Sequence, residues 1–358
     1  MSAMVYTASG QVFHFGTEIG RGGEGTIFAS PQNQLECAKI YTKPLPAAYV
    51  RKLELMVRNA PNDPAYASQK HHSIAWPSGL LYKDGTRRDC VGFLMARIDV
   101  TRFRKVLQYL DPADRAPGFT WKHLCVACRN IASSVAAVHE KGYCIGDVNE
   151  SNILVAPTAL ITLIDCDSFQ VPDPDSGKLH RCLVGKPEYT APELQGKSYA
   201  DVDRTVETDC FAMAVVMFQL LMEGTHPYQA KGRLVDDAPS SETKIVKGYF
   251  PYTMRGRDIA PPDHAPPFDV LSPALRGLFE KCFAEGNRNP DARPKASEWL
   301  QVIEKYWSTL KECALNGNHF FHRTSTPARG AKEPLRRVET RFQARLAYKS
   351  PLLTPHSR

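Results

Sequence analysis

The sequence predicts an α+β chain folded in two lobes. Residues 5–100 alternate apolar and polar positions, with β-branched and aromatic residues between turns rich in Gly and Asn, the period of two expected of half-buried strands. One helical pattern interrupts them at about residues 46–59. From about residue 120 the apolar residues recur at spacings of three and four, as they do on amphipathic helices. We therefore expect a first lobe made mostly of strands and a second made mostly of helices.

Four segments of the second lobe carry the helical pattern: 121–139, 209–222, 272–284 and 295–312. Residues 228–268 are rich in Pro, Asp and Gly and are expected to form long loops. Residues 316–358 mix Arg, Pro and Ser without a core-forming pattern, which favours disorder. These patterns divide the chain into a first lobe at 1–98, a second lobe at 99–312 and a basic C-terminal tail at 313–358.

The net charge of +7 comes from that tail. Residues 323–358 hold nine Lys or Arg and two Glu, which leaves 36 basic and 36 acidic residues in the rest of the chain. A body with balanced charge lacks the basic surface expected of a nucleic-acid-binding protein. We therefore expect no nucleic-acid partner.

The sequence start and the apolar runs predict a cytoplasmic protein. The opening stretch "MSAMVYTASGQVFHFG" has no apolar signal core. The longest apolar run, at 211–222, contains Gln219 and is too short to cross a bilayer. The ten cysteines are isolated except for Cys125 and Cys128, and a zinc ribbon needs a second pair. Reduced thiols and no membrane partner are expected.

The stretch "EIGRGGEGTIFAS" holds three glycines in a G-x-G-x-x-G spacing, Gly20, Gly22 and Gly25, followed by Ile27. Because "TIFAS" is rich in β-branched and aromatic residues and "PQNQ" follows it, the pattern predicts a strand-turn-strand flap and not the helix of a dinucleotide site. The bare backbone of such a flap can approach phosphates. A flexible hairpin without a ligand is the alternative.

Lys39 lies in the apolar strand "CAKIY". A buried ammonium group without an anionic partner is costly, so Lys39 needs phosphates or a carboxylate. Glu54 is the only glutamate between residues 37 and 139 and lies on the predicted helix. We expect the two to pair, with a solvated helix face as the alternative for Glu54.

Two acidic stretches of the second lobe predict phosphate chemistry. "CIGDVNESNILVAP" holds Asp147 and Asn152, and "LITLIDCDSFQV" holds Asp165 after an apolar strand. Phosphoryl transfer from ATP needs a carboxylate that accepts the proton of a substrate hydroxyl, and oxygen ligands for the magnesium ion that bridges the phosphates. Asp147, Asn152 and Asp165 together supply these groups.

Further motifs follow in a fixed order: "GKPEYTAPEL" with Glu193, Asp209 at the start of an apolar helix, "GTHPY" at 224–228 and "PDARP" with Arg293. Over roughly residues 14–308 the chain resembles the eukaryotic-type serine/threonine protein kinases. The resemblance implies a bilobal protein-kinase-like fold, with a small β-rich N-lobe containing one main helix and a large α-helical C-lobe. It also implies ATP and Mg²⁺ as cofactors.

The resemblance assigns roles to individual residues. Asp147 would be the catalytic carboxylate, Lys39 would contact the α and β phosphates while pairing with Glu54, and Glu193 and Arg293 would form a buried pair. Asn152 and Asp165 would hold the metal. The nucleotide would be bound by Ile19, Gly20, Gly22, Gly25, Ile27, Ala38, Lys39, Met95, Ala96, Ile98 and Leu154. Among these, Ile27, Ala38 and Leu154 would sandwich the adenine, Met95 would be the gatekeeper and Ala96 to Ile98 would offer backbone hydrogen bonds.

The chain departs from the family's pattern in four places. Gly146 replaces the arginine before the catalytic aspartate, so phosphorylation of the activation segment, residues 165–193, is not expected to switch activity on. Cys166 and Asp167 replace Phe-Gly after Asp165. Asn149 replaces a lysine, and Lys186 stands where a threonine is usual. Lys186 is therefore expected within a few ångströms of Asp147, as a substitute cation; a solvated lysine is the alternative.

"IAWP" and "IDCDSFQ" resemble a bacterial subgroup close to the helix-hairpin-helix kinases. The resemblance implies a PP2C-type phosphatase and a von Willebrand A-like protein as partners. No helix-hairpin-helix module is recognisable after residue 310.

Two functions agree with these motifs: an active serine/threonine protein kinase that also phosphorylates itself, and a nucleotide-binding pseudokinase that acts as a scaffold. Retention of Lys39, Asp147, Asn152 and Asp165 favours the active kinase, since charge and positioning do most of the work in phosphoryl transfer. A small-molecule kinase is disfavoured by the segment 191–193 and the large helical lobe.

Overall fold

The computed structural model describes residues 4–254, 258–313 and 316–322. Seven strands form one antiparallel sheet in the order β2-β1-β6-β7-β5-β4-β3. They are β1 Met4–Thr7, β2 Val12–His14, β3 Glu18–Arg21, β4 Gly25–Ala29, β5 Glu36–Tyr41, β6 Pro77–Tyr82 and β7 Cys90–Ala96. Helix α1, Ala47–Arg58, packs against β6, and the short helix α2, Tyr66–Gln69, follows it. The first lobe is thus a sheet with one main helix, as the period-two pattern predicts.

The second lobe contains the remaining helices and some short strands. The helices are α3 Leu107–Leu110, α4 Trp121–Glu140, α5 Val206–Leu221, α6 Ser241–Lys247, α7 Pro273–Glu280, α8 Gly286–Arg288 and α9 Ala296–Thr309. The strands are β8 Arg104–Lys105, β9 Ile153–Val155, β10 Ile161–Leu163, β11 Val171–Pro172 and β12 Leu179–His180. Strands β8 to β10 form a three-stranded sheet and β11 pairs with β12. The predicted two-lobe α+β architecture is confirmed.

Helix α5 forms the centre of the second lobe. Every residue from Thr208 to Leu221 is buried, because the helix is apolar on all sides and can therefore pack against neighbours all round. The Thr205 hydroxyl caps its first turn by accepting a hydrogen bond from the Thr208 N–H at 3.3 Å. This fixed helix start places Asp209 beneath the loop that carries Asp147.

The helix predictions agree with the structure to within a few residues. Helix α7 ends at Glu280 but continues through a π turn at Lys281–Glu285, which accounts for the longer predicted segment. Helix α9 ends at Thr309 and the chain turns into a hairpin, β13 Leu310–Cys313 with β14 Asn316–His322. This hairpin lies partly in the range predicted as a tail, so disorder from residue 313 onward is wrong for Asn316–His322. The prediction of disorder at 323–358 lies outside the described residues.

Residues 73–75 connect the first lobe to the β9–β10 hairpin. Ala75 donates its N–H to the Leu163 carbonyl, and Leu163 donates its own to the Ser73 carbonyl, both at 2.9 Å. The segment after β10, which carries Asp165, is therefore fixed directly against the first lobe. Within the described residues no helix is both long and apolar enough to cross a membrane.

Candidate active site

Asp147 lies in the loop between α4 and β9, and both of its carboxylate oxygens accept side-chain hydrogen bonds. The Asn149 amide donates to Oδ1 at 2.7 Å and the Asn152 amide donates to Oδ2 at 2.9 Å. Burial raises the pKa of Asp147, and these two hydrogen bonds oppose that rise. The carboxylate is therefore oriented by the two asparagines of its own loop.

Asp209 supports this loop from the start of helix α5. Its side chain accepts the N–H groups of Ile145 at 2.6 Å and Gly146 at 2.8 Å, and His139 Nε2 lies 2.9 Å from the same carboxylate. Asp209 is 1% exposed, and a buried carboxylate needs such donors. The backbone on the N-terminal side of Asp147 is thereby held in place.

Asp165 lies next to Asn152, because the N–H of Ile164 donates to the Asn152 carbonyl at 3.0 Å. Asp165 has a φ of 55°, a left-handed conformation uncommon for a residue other than glycine. Desolvation in the cleft raises the pKa of Asp165, while the positive charge of Lys39 opposes the rise. Lys39 Nζ lies 3.9 Å from its Oδ1.

The side chains of Asn152 and Asp165 fit a hard divalent cation. The side-chain nitrogen of Asn152 is directed at Asp147, which leaves the side-chain oxygen Oδ1 of Asn152 for another partner. The Asp165 side chain is half exposed. Mg²⁺ prefers oxygen ligands, and one or two protein side chains suffice when phosphates supply the others. Within the described residues no group of three His, Cys, Asp or Glu forms a metal site made of protein alone.

Lys39 binds Asp167 and not Glu54, which corrects the predicted pair. Its Nζ lies 2.7 Å from Asp167 Oδ2 and 2.9 Å from Oδ1. Burial acts to lower the pKa of Lys39, but the carboxylates of Asp167 and, to a smaller extent, of Asp165 and Glu24 outweigh it, and the pKa is raised. Asp167 is 1% exposed. Burial acts to raise the pKa of Asp167, but the charge of Lys39 keeps this pKa below its usual value.

Glu54 is turned away by the rotation of helix α1. Lys52 and Met56 are buried on its inner face, and Glu54, two positions after Lys52, lies about 200° further round the helix. Its side chain is one-third exposed and lies 3.9 Å from Arg51. The expectation that Glu54 acts in the site is therefore wrong for this structure.

Ala38 lies on the wrong face of the sheet to contact a base. Adjacent residues of a strand point to opposite faces, and Ala38 belongs to the small apolar cluster on the far face, with Ile40 and Leu94. Cys37 and Lys39 pair with Ala29 and Ile27 of β4. The two residues are two positions apart on β5, so their side chains lie on the same face of the sheet. The adenine contact predicted for Ala38 therefore does not agree with its face of the sheet, and Cys37 is the neighbouring residue that shares the face of Lys39.

Cys37 is 2% exposed, and its Sγ lies 3.7 Å from both the Met95 and the Ala96 carbonyl oxygens. Burial raises its pKa to about 12, so it is a neutral thiol. The position of Cys37 could have been predicted from the sequence, since a residue two positions before Lys39 on a strand lies on the same face as Lys39.

The other nucleotide-binding candidates lie around the same face. Ile27 pairs directly with Lys39 and with Gly20, whose added Cβ would lie 3.6 Å from the Ile27 side chain. Leu154 is 6% exposed on β9 yet belongs to neither apolar core cluster, as expected of a residue that faces the cleft. The remaining candidates are Ile19 on β3, Gly22 in the turn after it, Gly25 at the start of β4, Met95 and Ala96 at the end of β7, and Ile98 just after β7.

Lys186 binds Glu150 and Ser151, which corrects its predicted contact with Asp147. Its Nζ lies 2.6 Å from Glu150 Oε1 and 2.7 Å from Ser151 Oγ. Glu150 is only 8% exposed and needs a countercharge, whereas both oxygens of Asp147 already accept asparagine amides. The charge of Lys186 still opposes the rise in the pKa of Asp147.

The pair of Glu193 and Arg293 is present. Arg293 donates to both oxygens of Glu193 at 2.7 and 2.6 Å, and to the Gly286 carbonyl at 2.8 Å. Its side chain is fully buried. This pair fixes the segment after Lys186 to the helical lobe.

Comparison with known proteins agrees with this geometry. Residues 13–303 match the protein kinase domain family. The chain is 33% identical over 335 residues to protein kinase YegI of Escherichia coli O157:H7, covering 91% of this chain and 50% of that protein. Identity to protein kinase YegI of Escherichia coli strain K12 is 32% over 331 residues, covering 90% and 49%. A shorter similarity, 31% over 118 residues, covers 33% of this chain and 17% of maternal embryonic leucine zipper kinase of Xenopus laevis.

The chain spans about half the length of the two YegI proteins that it matches. The family match covers most of both lobes, including the Asp147 loop and the Asp165 loop. This chain belongs to the protein kinase domain family.

Proposed function

We propose that the chain is an ATP- and Mg²⁺-dependent serine/threonine protein kinase that transfers the γ-phosphate to protein hydroxyl groups, including its own. The observation that carries the proposal is the convergence of Lys39, Asp147 and Asp165 in one cleft, with Asn152 joining the two acidic loops. Phosphoryl transfer depends mainly on positioning and charge, and these groups supply both.

Each group has a separate task. Asp147 orients the attacking hydroxyl and accepts its proton on the carboxylate that Asn149 and Asn152 hold. Asn152 and Asp165 would hold Mg²⁺, which when bound neutralises charge on the phosphates. Lys39 binds phosphate oxygens, and the glycine turn at Gly20–Gly25 covers them.

A scaffolding pseudokinase is the second candidate, and one observation favours it. Lys186 is bound to Glu150, and Asn149 carries no charge, so no lysine side chain contacts Asp147 within the described residues. The resemblance to the bacterial subgroup supports a PP2C-type phosphatase and a von Willebrand A-like protein as partners under either function. A cytoplasmic location fits both.

Labelled ATP separates the two candidates. The purified chain is incubated with γ-³²P-ATP and Mg²⁺, with and without a generic basic protein, and phosphoamino acids are identified after acid hydrolysis. We expect label on serine and threonine, and its loss when EDTA removes the metal. ATP binding without transfer would support the pseudokinase, and label on tyrosine alone would contradict the serine/threonine assignment.

A further inference from the structure

The ammonium group of Lys39 is enclosed by the loop that follows β10. Asp167 accepts it with both carboxylate oxygens, and Asp167 Oδ2 also accepts the hydroxyl of Tyr41 at 2.6 Å and that of Tyr49 at 3.1 Å. With an exposure of 1%, Asp167 is sequestered from water. The carboxylate is therefore fixed by three separate donors and cannot rotate away without breaking all of them.

Helix α1 presents no carboxylate to Lys39. Its inward face carries Tyr49, which binds Asp167, and Lys52, which is 3% exposed and whose Nζ lies 5.2 Å from the Tyr49 ring centre. Glu54 lies on another side of the helix. Because helix α1 contributes a buried lysine and no carboxylate here, the countercharge of the buried Lys39 comes from another element.

We infer that Asp167 is the positioning residue for Lys39 during phosphoryl transfer, in the role that a glutamate of helix α1 has in the family. The inference rests on the proposed kinase function and assigns a residue that the family's pattern leaves as glycine. Asp167 acts through Lys39: it touches the ammonium group and not the substrate.

In this arrangement the position of the Lys39 ammonium group depends on the turn that follows β10 and not on helix α1. Asp165 and Asp167 lie in one turn, and the Ser168 N–H donates to the Asp165 carbonyl at 3.1 Å to close it. The phosphate-binding lysine and a metal-binding carboxylate are thus positioned by the same turn. A movement of helix α1 would break the hydrogen bond from Tyr49 but leave Lys39 bound.

The first test compares carboxylate-to-amide changes. Asp167→Asn keeps the shape but removes the charge, and we expect kcat to fall about 30-fold because the lysine is displaced, with KM for ATP changing less than about threefold. Asp167→Glu, which keeps a carboxylate, should recover part of that loss. Asp175→Asn is the matched control, since Asp175 lies in the same segment with its side chain 73% exposed, and its kcat should stay within about twofold.

The second test moves the carboxylate to helix α1. Asp167→Gly should be as slow as Asp167→Asn. Adding Lys52→Glu should raise kcat by about tenfold, because the new carboxylate on helix α1 replaces the lost countercharge of Lys39. Circular dichroism and melting curves identify the variants that fold, and only these are compared.

Three results would overturn the inference: wild-type kcat in Asp167→Asn, an equal loss in Glu54→Gln, or a double variant no faster than Asp167→Gly. A wild-type protein that binds ATP but transfers no phosphate would instead contradict the proposed function, so the two failures are distinguishable.

Discussion

Asp147 has the geometry of a proton acceptor that is ready before substrate binds. Each of its oxygens accepts one amide hydrogen bond, and a carboxylate oxygen can accept a second. The free lone pairs can therefore receive a substrate hydroxyl while the asparagines keep the orientation. Under the proposed function, the nucleotide would be bound by other residues.

Changing Asp147 to asparagine should separate catalysis from binding. We expect Asp147→Asn to lower kcat by roughly 10²–10⁴-fold, the usual contribution of a general base, while the affinity for ATP changes little. Rates come from labelled phosphate transfer and affinities from titration with a fluorescent nucleotide. Asp84→Asn, at an exposed turn, is the control. Autophosphorylation of Asp147→Asn at the wild-type rate would remove Asp147 from the mechanism.

The residues of the site were predictable where their role depends on local sequence. Asp147 and Asn152 are five positions apart in one loop, and their contact follows from that spacing. The partner of Lys39 was not predictable, because Asp167 is 128 positions away and its selection depends on how helix α1 is rotated. The helix is rotated so that Lys52 and Met56 are buried. Because a hydrophobic pattern places lysine on the exposed face, the sequence does not predict this rotation.

At the scale of elements, the activation segment is held by contacts that need no phosphate. Gly146 has a φ of 76°, and an added Cβ would lie 2.6 Å from the Cys182 Cβ, so the family's arginine would not fit there. Arg204 lies in this region instead: its guanidinium stacks on Tyr199 at 4.1 Å and donates to the Val184 carbonyl at 3.0 Å. The segment is therefore already ordered by an arginine.

Activity should consequently be independent of phosphorylation in this segment. Tyr189 and Thr190 are buried, at 8% and 6% exposure, and Ser176 is exposed at the β11–β12 turn. We expect phosphatase treatment, and separately Ser176→Ala, to leave kcat within about twofold of wild type. Mass spectrometry verifies that the phosphate has been removed. A large loss after dephosphorylation would refute this and would indicate Arg204 as the residue that reads a phosphate.

The Glu193–Arg293 pair joins the same segment to the helical lobe. The Arg293 side chain is fully buried, so Glu193→Gln would leave its charge without a partner and should lower the free energy of unfolding by about 3 kcal/mol. Urea unfolding followed by circular dichroism measures this. Glu304→Gln is the control, because its pair with Arg129 is half exposed on both sides and should contribute less than about 1 kcal/mol. Equal effects in the two variants would show that the burial of Arg293 does not matter.

The sequence predicted the long helices better than the short strands and the face that each strand residue occupies, for a physical reason. Apolar spacing is a local property, so it located α1, α4, α5 and α9 to within about three residues. The short strands β8, β11 and β12 carry no such signal, since two residues have no period and each depends on a distant partner. The contact predicted for Ala38 does not agree with its face of the sheet, because a shift of one residue along a strand changes the face.

At the scale of the whole molecule, the described core of the second lobe includes helix α9, which precedes the basic segment at 323–358. Helix α9 packs against α4 and buries Trp299 and Ile303, and the family match ends at residue 303. The sequence of 323–358 contributes nine basic and two acidic residues without a core-forming pattern. Its expected role is therefore attraction of an acidic partner rather than catalysis.

Removal of residues 323–358 should therefore leave kcat and the melting temperature unchanged while reducing binding to polyanions. The remaining chain has 36 basic and 36 acidic residues, so its net charge falls from +7 to about zero and long-range attraction to a negative partner is lost. Retention on heparin at low and high salt, alongside kinase assays and melting curves, measures both effects. If the shortened chain loses kinase rate or melts at a lower temperature, residues 323–358 must pack on the body, and their charge would be secondary to that contact.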